Sequence, residues 1–335
     1  MNNIWIVVLT YNGLEDTRRC LTSVAAVSGP GVTRLLVDNG STDGTAAIVA
    51  KEFPWCRVLT VTENRGPAAG YNAGVRAALA GGADGVVLLN NDTVVAPELV
   101  TRLRQAAAAH PEYSIIGPVI KFMDDPEQVM TDGFTINSPQ FYGFFHRKPV
   151  ELTESAPPRV TDVDAVNGCC VLIRAAVFER IGLFDEQIFI YHDETDFCLR
   201  ALGAGFKAGV IDHALVWHKG SATFQSSGKR LARYYDARNL LYVLRKHGGL
   251  RHNGRSRLAS AIMYARYMYH WYCTEREAGY DQSADAVIEG VWDGALGRMG
   301  RYRDGRRRVT GPVRAILEML RRLPRGRAAA VAGHG

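Results

Sequence analysis

The stretch LLNNDTVV, residues 88–95, decides how the chain is to be read. It completes an aliphatic run that starts at Gly85 and breaks off in two amides and a carboxylate, Asn90, Asn91 and Asp92. Such a run suits a strand buried on both faces, and a buried strand gains nothing in packing from a polar end. The carboxylate therefore has either a structural job, as N-cap of a helix near 96–110, or a chemical one.

Working outward, IWIVVLT (4–10), TRLLVDN (33–39) and CRVLTVT (56–62) share this aliphatic character, and helical spacing fills 14–27, 43–53, 67–80 and 96–110. The alternation predicts an α/β fold, a mostly parallel central sheet flanked by helices and joined by right-handed crossovers. Ligands of such sheets bind beyond the carboxyl ends of the strands. Four of those ends are polar: Thr10-Tyr11-Asn12-Gly13, Asp38-Asn39-Gly40-Ser41, Glu63-Asn64-Arg65-Gly66 and Asn90-Asn91-Asp92. Turn chemistry explains any one of them. Four on one edge point to a site.

Beyond residue 110 the pattern loosens. SIIGPVIKF (114–122) reads as a strand and 123–160 as loops and short strands. Order returns with CCVLIR (169–174), IFIY (188–191), a helix over about 193–203, and AGVIDHALVWH (208–218). From about 228 the chain is helical, led by RLARYYDARNLLYVLRKH (230–247).

The apolar share of 47% and charged share of 22% in 335 residues belong to an ordinary globular chain. Six cysteines without a CxxC pair argue against a zinc ribbon and a disulfide scaffold, and for a reducing compartment. No basic segment precedes IWIVVLT, so no signal peptide is expected and a cytoplasmic location is. LASAIMYARYMYHWYC (258–273) carries Arg266 and His270 and is too short to span a bilayer. Residues 301–335 hold ten arginines against Asp304 and Glu318, leaving the first 300 residues at −2 of the net +6. The basicity is a property of the tail, and no nucleic-acid motif accompanies it.

The strand ends suggest a chemistry. In NRGPAAGYNAG, Gly66-Pro67 starts a helix whose free N–H groups suit a pyrophosphate, with Arg65 as a charged donor beside it. The first strand lacks the GxGxxG of a dinucleotide fold, which disfavours an oxidoreductase. Glycines at 66, 70 and 74 also fit close packing of helix on sheet. Asp92 on the same edge would repel diphosphate unless a cation, Mg²⁺ or Mn²⁺, lay between them. His218, at another strand end, is a second candidate ligand that leans the choice toward Mn²⁺.

In FIYHDETDFCLRALGAGF (189–206), three acids open a helix. Asp193 as N-cap with Asp196 makes a fair capping box, which leaves Glu194 free to serve as general base toward a hydroxyl.

Taken in order, VVLTYNG, LLVDNGSTDGT, ENRGPAAGYNAG, LLNNDT, NGCCVLIR, FDEQIFIYHDETDFCLRA and VWHKGSAT resemble inverting family 2 glycosyltransferases, and more narrowly their bacterial rhamnosyltransferase-like branch. The resemblance runs over about residues 4–247. It implies a GT-A fold over 1–225, with a nucleotide-sugar half to about 120 and an acceptor half from about 121, followed by a helical region over 226–335. It implies a nucleotide-sugar donor, a divalent cation and one-step transfer with inversion to a glycan or lipid-linked acceptor. dTDP-rhamnose is the first-choice donor and a UDP-sugar the second. A non-catalytic sugar-nucleotide or polysaccharide-binding protein of the same fold is the alternative.

Residue by residue, the resemblance has Asp38 reading the base beside Thr10, Tyr11 and Asn12, with Asn64, Arg65, Gly66, Asn72, Asn90 and Asn91 completing the donor site. Asp92 takes the last place of the Asp-x-Asp motif, whose first aspartate is Asn90 here. Glu194 takes the place of the catalytic base, with Asp193 as the alternative, and Gly168 and Cys169 lie on the acceptor side. Tyr235, Arg238 and Asn239 match a recurrent helix whose role, packing or acceptor contact, stays open. Outside the match, Val313, Ile316, Leu317, Leu320 and Leu323 form one helical face among arginines. That face suits either the inner surface of the plasma membrane or docking on the protein body or on a second copy of the chain.

Overall fold

The computed structural model describes residues 1–136, 145–147, 149–220, 229–248, 257–303 and 310–322. Its first half runs β1 (Ile4–Thr10), α1 (Leu14–Ala25), β2 (Val32–Asp38), α2 (Thr45–Glu52), β3 (Arg57–Thr60), α3 (Pro67–Ala80), β4 (Gly85–Asn90), β5 (Thr93–Val95), α4 (Leu99–Ala109) and β6 (Tyr113–Phe122). Short strands β7 (Val129–Thr131), β8 (Phe134–Ile136), β9 (Phe145–Arg147) and β10 (Val160–Val163) follow. Then come β11 (Cys170–Arg174), α5 (Ala175–Ile181), α6 (Asp193–Gly203) and β12 (Lys207–His218). Four helices close the described chain: α7 (Arg230–Lys246), α8 (Arg257–Glu277), α9 (Asp281–Ala295) and α10 (Thr310–Arg322).

The main sheet has the order β10-β12-β6-β11-β4-β1-β2-β3. β3, β2, β1 and β4 are mutually parallel, as the alternating pattern predicts, while β11 is antiparallel to both β4 and β6. β1 is buried throughout, and its side chains divide by the two-residue period of a strand. Trp5, Val7 and Leu9 join a core with Tyr71 and Val75 of α3 and Phe197 of α6. Ile4, Ile6 and Val8 pack on the other face with Leu21 of α1 and Leu103 of α4. The three layers put every parallel strand end on one edge.

α3 lies close enough to the sheet to require its glycines. A Cβ on Gly74 would come 2.3 Å from Val7 Cγ1, and one on Gly70 2.5 Å from Leu9 Cδ1. The C-terminal helices share the first core, since Leu240, Val243 and Leu244 of α7 and Tyr264 and Met268 of α8 pack into it.

Two local expectations are corrected. IFIY (188–191) is not a strand: Tyr191 takes a left-handed φ of 67°, and the carbonyls of Ile190 and Tyr191 accept from the Asn239 side chain rather than from a neighbouring strand. On α10, Val313 and Leu317 pack against Tyr272, Cys273, Ala284 and Ile288. Glu318 bonds Tyr272 and Arg276, and Arg314 pairs with Asp285. Between the two settings expected for that face, docking on the body is what these residues show. The side chains of Ile316 and Leu320, and Leu323 altogether, lie outside the described residues.

Candidate active site

The polar strand ends meet at the carboxyl edge of the sheet and are clamped to one another. Thr10 is buried, its hydroxyl 2.8 Å from that of Thr17, and Asn91 Nδ2 donates to both. Asn12, left-handed at φ 47°, accepts from the Thr42 N–H and donates its own N–H to Ser41. Asp38 is buried and accepts from the Ser41 N–H at 3.1 Å. The β1 and β2 loops thus form one wall, with Tyr11 exposed beside it.

The next wall is the start of α3. Asn64 Oδ1 accepts from the Gly66 N–H, and Asn39 Nδ2 donates to the Gly66 carbonyl. Gly66 has φ 95°, and a Cβ there would meet the Phe189 carbonyl oxygen at 2.1 Å. Only glycine fits. Arg65 reaches outward, 63% exposed, and pairs with Glu186 at 3.2 Å. Asn72 is fully engaged: it donates to the Phe184 carbonyl and to Glu186, and accepts from the Phe184 N–H. Asn90 accepts from the Tyr71 hydroxyl at 2.7 Å. The side chains of Thr10, Asn12, Asp38, Asn64, Arg65, Asn72, Asn90 and Asn91 all have protein partners, which fix them along the walls of the candidate donor site.

Asp92 does not cap a helix. α4 begins at Leu99 with Glu98 as its N-cap, while Asp92 sits in the turn between β4 and β5. β5 pairs antiparallel with the end of β12, Thr93 opposite His218, and the Lys219 N–H donates to the Asp92 carbonyl. This register places His218 Nε2 3.0 Å from Asp92 Oδ1. Both atoms are buried and neither makes a well-directed hydrogen bond. Burial by itself would lower the His218 pKa, but the Asp92 carboxylate and the Cys169 thiol beside it push it up to about 10.

A carboxylate oxygen and an imidazole nitrogen about 3 Å apart have the spacing of adjacent ligands around a cation bound at about 2.1 Å, and such a cation would displace the His218 proton. Among the described residues no cluster of three or more His, Cys, Asp or Glu could hold a metal. The pair thus fits a cation that keeps positions for water or phosphate oxygens, not a closed structural site.

The acids of α6 complete the edge. The N-cap is His192, left-handed at φ 67°, so the expected capping box does not form. Asp196 instead turns into the core, where Arg200, Lys246 and His247 surround it. Burial would raise its pKa, but these partners bring it down to about 2. Asp193 is buried and Glu194, beside it, is half-buried, and the two interact. Burial pushes both carboxyls above the ordinary range, and the mutual contact raises Asp193 while lowering Glu194. The two titrate as a pair, with Asp193 held further above the ordinary carboxylate range than Glu194.

Gly168 borders this pair, since a Cβ there would lie 3.6 Å from Glu194 Cβ and 3.9 Å from its Cδ. Tyr71, bonded to Asn90, lies within electrostatic reach of both carboxylate groups. Burial first, then the nearby Cys169, Asp193 and Asp92, holds its hydroxyl far above the usual phenol range.

A family profile described as glycosyl transferase family 2 matches residues 5–182. The chain belongs to that family. This family 2 transferase is 26% identical over 265 residues to the N-acetylglucosaminyl-diphospho-decaprenol L-rhamnosyltransferase of Mycobacterium tuberculosis, covering 73% of this chain and 85% of that one. It is 25% identical over 253 residues to the dTDP-rhamnosyl transferase RfbF of Shigella flexneri, covering 73% and 81%. Its fold matches that of the mannosyltransferase PcManGT from Pyrobaculum calidifontis, solved in complex with GDP-Man and Mn²⁺, with TM-score 0.54 at 15% identity over 88% of each chain. The architecture is of the GT-A type.

Three residues of the candidate site carry no distinct signal in the sequence. Tyr71 stood in a glycine-rich apolar helix, where a phenol next to Asn72 was the available signal. Glu186 lies in the loop before the acids and orders Arg65, Arg76 and Asn72. Asn39 keeps a buried Oδ1 without a partner, and its place in the Asp38-Asn39-Gly40 turn hid it among turn formers.

Proposed function

We propose that the chain is a metal-dependent, inverting rhamnosyltransferase that moves the sugar of dTDP-rhamnose to a hydroxyl of a lipid-linked glycan. The observation that carries this is the Asp92–His218 pair at 3.0 Å on the carboxyl edge of the sheet, with the acids of α6 near enough for Tyr71 to feel both Asp92 and Asp193. Names of relatives supply the sugar and the acceptor class.

Asp92 and His218 are the residues that would hold a divalent cation, Mn²⁺ by the chemistry of the donor set, which would supply charge neutralisation of the donor diphosphate. Arg65 and the free N–H groups at the start of α3 hold the same diphosphate. Asp38, fixed by Ser41, accepts from the N3–H that thymine and uracil share, and Tyr11 flanks the base. Glu194 takes the proton of the acceptor hydroxyl as its oxygen bonds to the anomeric carbon from the face opposite the departing phosphate. The bond to phosphate breaks with its electron pair, and the configuration inverts. Contact with Asp193 lowers the Glu194 pKa against the rise that burial imposes, which favours its ionised form. Gly168 leaves room at the base for the acceptor, with Cys169 behind it.

Among the described residues no helix is long and apolar enough to cross a membrane. A lipid-linked acceptor is reached from the surface instead. α8 exposes Leu258 at 69% and Ile262 at 52%, apolar area suited to a bilayer interface.

The test is transfer from dTDP-rhamnose, UDP-glucose, UDP-N-acetylglucosamine and GDP-mannose to polyprenyl-diphosphate-linked N-acetylglucosamine with Mn²⁺ present. Rhamnosylated product of inverted configuration, absent with Glu194→Gln, is the expected result. Transfer from a UDP-sugar alone would overturn the donor, and full activity of Glu194→Gln would overturn the base.

A further inference from the structure

Tyr191 and His192, the two residues that lead into the acidic helix, both have φ of 67°. Side-chain-bearing L-residues seldom adopt this region, and two in succession persist only where the surroundings hold them. The holding groups come from α7, far along the chain. Asn239, fully buried, donates from Nδ2 to the Ile190 carbonyl at 2.7 Å and to the Tyr191 carbonyl at 3.1 Å. One turn earlier, Asp236 Oδ1 lies 2.9 Å from His192 Nε2.

The orientation of the Asn239 amide is itself determined. Its Oδ1 accepts from Arg238 Nε at 2.8 Å, and a guanidinium can only donate. The amide nitrogen must therefore face the two loop carbonyls, which can only accept. Arg238 is also fully buried, bonded to the Gly300 carbonyl and lying against the rings of Tyr234 and Tyr235. The same helix stacks Tyr235 on Phe189, with ring centroids 5.4 Å apart, and Phe189 is the residue whose carbonyl abuts Gly66. α7 thus grips this left-handed turn immediately before Asp193 and Glu194.

We infer that Asn239 and Asp236 are positioning residues for the reaction. They hold the Tyr191–His192 turn in its left-handed form, and that form sets where α6 starts and where the Glu194 carboxylate stands relative to the donor. This rests on the reading of Glu194 as the base. Among the described residues the candidate donor walls on β1, β2, α3 and β4 share no hydrogen bond with Asn239 or Asp236, and the Phe189 ring that abuts Gly66 rests on Tyr235 instead, so loss of the grip moves the base and leaves nucleotide binding in place.

The experiment compares the full chain with Asn239→Ala, Asp236→Asn and Glu194→Gln, measuring kcat and donor KM for rhamnosyl transfer and the Kd of dTDP with Mn²⁺. A misplacement of the base on the ångström scale predicts a kcat lower by about a hundredfold in Asn239→Ala. Asp236→Asn moves in the same direction, and KM and the dTDP Kd stay within about twofold of wild type, a split that general loosening does not produce. Wild-type kcat in a variant that is only less heat-stable would overturn the inference, as would a parallel loss of dTDP binding. If Asn239→Ala does not fold, Asp236→Asn, which alters a partly exposed carboxylate, decides alone. Wild-type kcat in Glu194→Gln would sink the base assignment itself, and that result is separable from the other two variants.

Discussion

His218 Nε2 stands 3.0 Å from Asp92 Oδ1, with both atoms buried and neither in a well-directed hydrogen bond. An ordinary buried ion pair would be expected to close into a directed bond, because an unsatisfied polar atom costs free energy in a low-dielectric site. The two atoms are better placed to share a third partner. The first prediction follows. His218→Ala should weaken Mn²⁺-dependent binding of dTDP while leaving metal-free binding of the nucleoside unchanged, read by titration calorimetry. Equal loss of both would show that His218 acts on the wall rather than on a cation.

Asp193 and Glu194 should separate by role. Glu194→Gln removes the base, and kcat should fall by about 10²–10⁴. Asp193→Asn puts a neutral donor in place of the carboxyl that burial and Glu194 push well above the ordinary range, so kcat should stay near wild type. A carboxyl whose folded pKa is raised lends stability at low pH that disappears as pH rises through that pKa. Asp193→Asn should therefore raise the melting temperature at pH 7 and above. Loss of activity in Asp193→Asn with retention in Glu194→Gln would reverse the assignment.

The activity of the wild type should fall on the acid side. Burial raises the Glu194 pKa and the base works only when ionised, so the acid limb of the kcat profile should lie above the ordinary glutamate value of about 4.3. An acid limb at or below that value would contradict the burial of the pair.

The folded chain should also lose stability in acid through a different carboxylate. Asp196 is held at about pKa 2 by His247, Lys246 and Arg200. A depressed folded pKa means that its contribution is full above an unfolded value of about 3.9 and lost as pH falls through about 2. Asp196→Ala strands three basic groups around a fully buried position, at a cost of about 3–5 kcal/mol. Denaturant melts at pH 7 and pH 3 should show the wild type and the variant converging at the lower pH.

Gly66 should tolerate nothing larger. Gly66→Ala places a methyl 2.1 Å from the Phe189 carbonyl oxygen at φ 95°, which costs about 1–3 kcal/mol in strain and displaces the phosphate loop. The expected signature is weaker dTDP binding together with a lower melting temperature.

The sequence pattern carried the parallel half of the sheet well, because aliphatic runs ending in Asn, Asp and Gly state both the strand and its exit. β1 spans residues 4–10 and α3 residues 67–80, as the periodicity predicts. What it could not carry was partnership. IFIY has the composition of a strand, yet an amide 49 residues later takes its carbonyl at Ile190. Asp193 and Asp196 have the spacing of a capping box, yet a left-handed His192 turns Asp196 to bases on α7 and beyond. Asn72 and Asn91 look like ligand contacts at the mouth of a site, and the tertiary structure gives their side chains to backbone and hydroxyl groups. Even the meeting of Asp92 and His218 depends on β5, a strand of three residues that no pattern announces.

The most direct test of the donor site is thermal stability with dTDP, UDP, GDP, NAD and NADP, each with and without Mn²⁺, for the wild type and Asp92→Ala. A nucleotide at a hundred times its Kd adds about 2.7 kcal/mol, a readable shift. The account predicts stabilisation by dTDP that needs Mn²⁺ and disappears in Asp92→Ala. Stabilisation that ignores the metal and survives the substitution would contradict it.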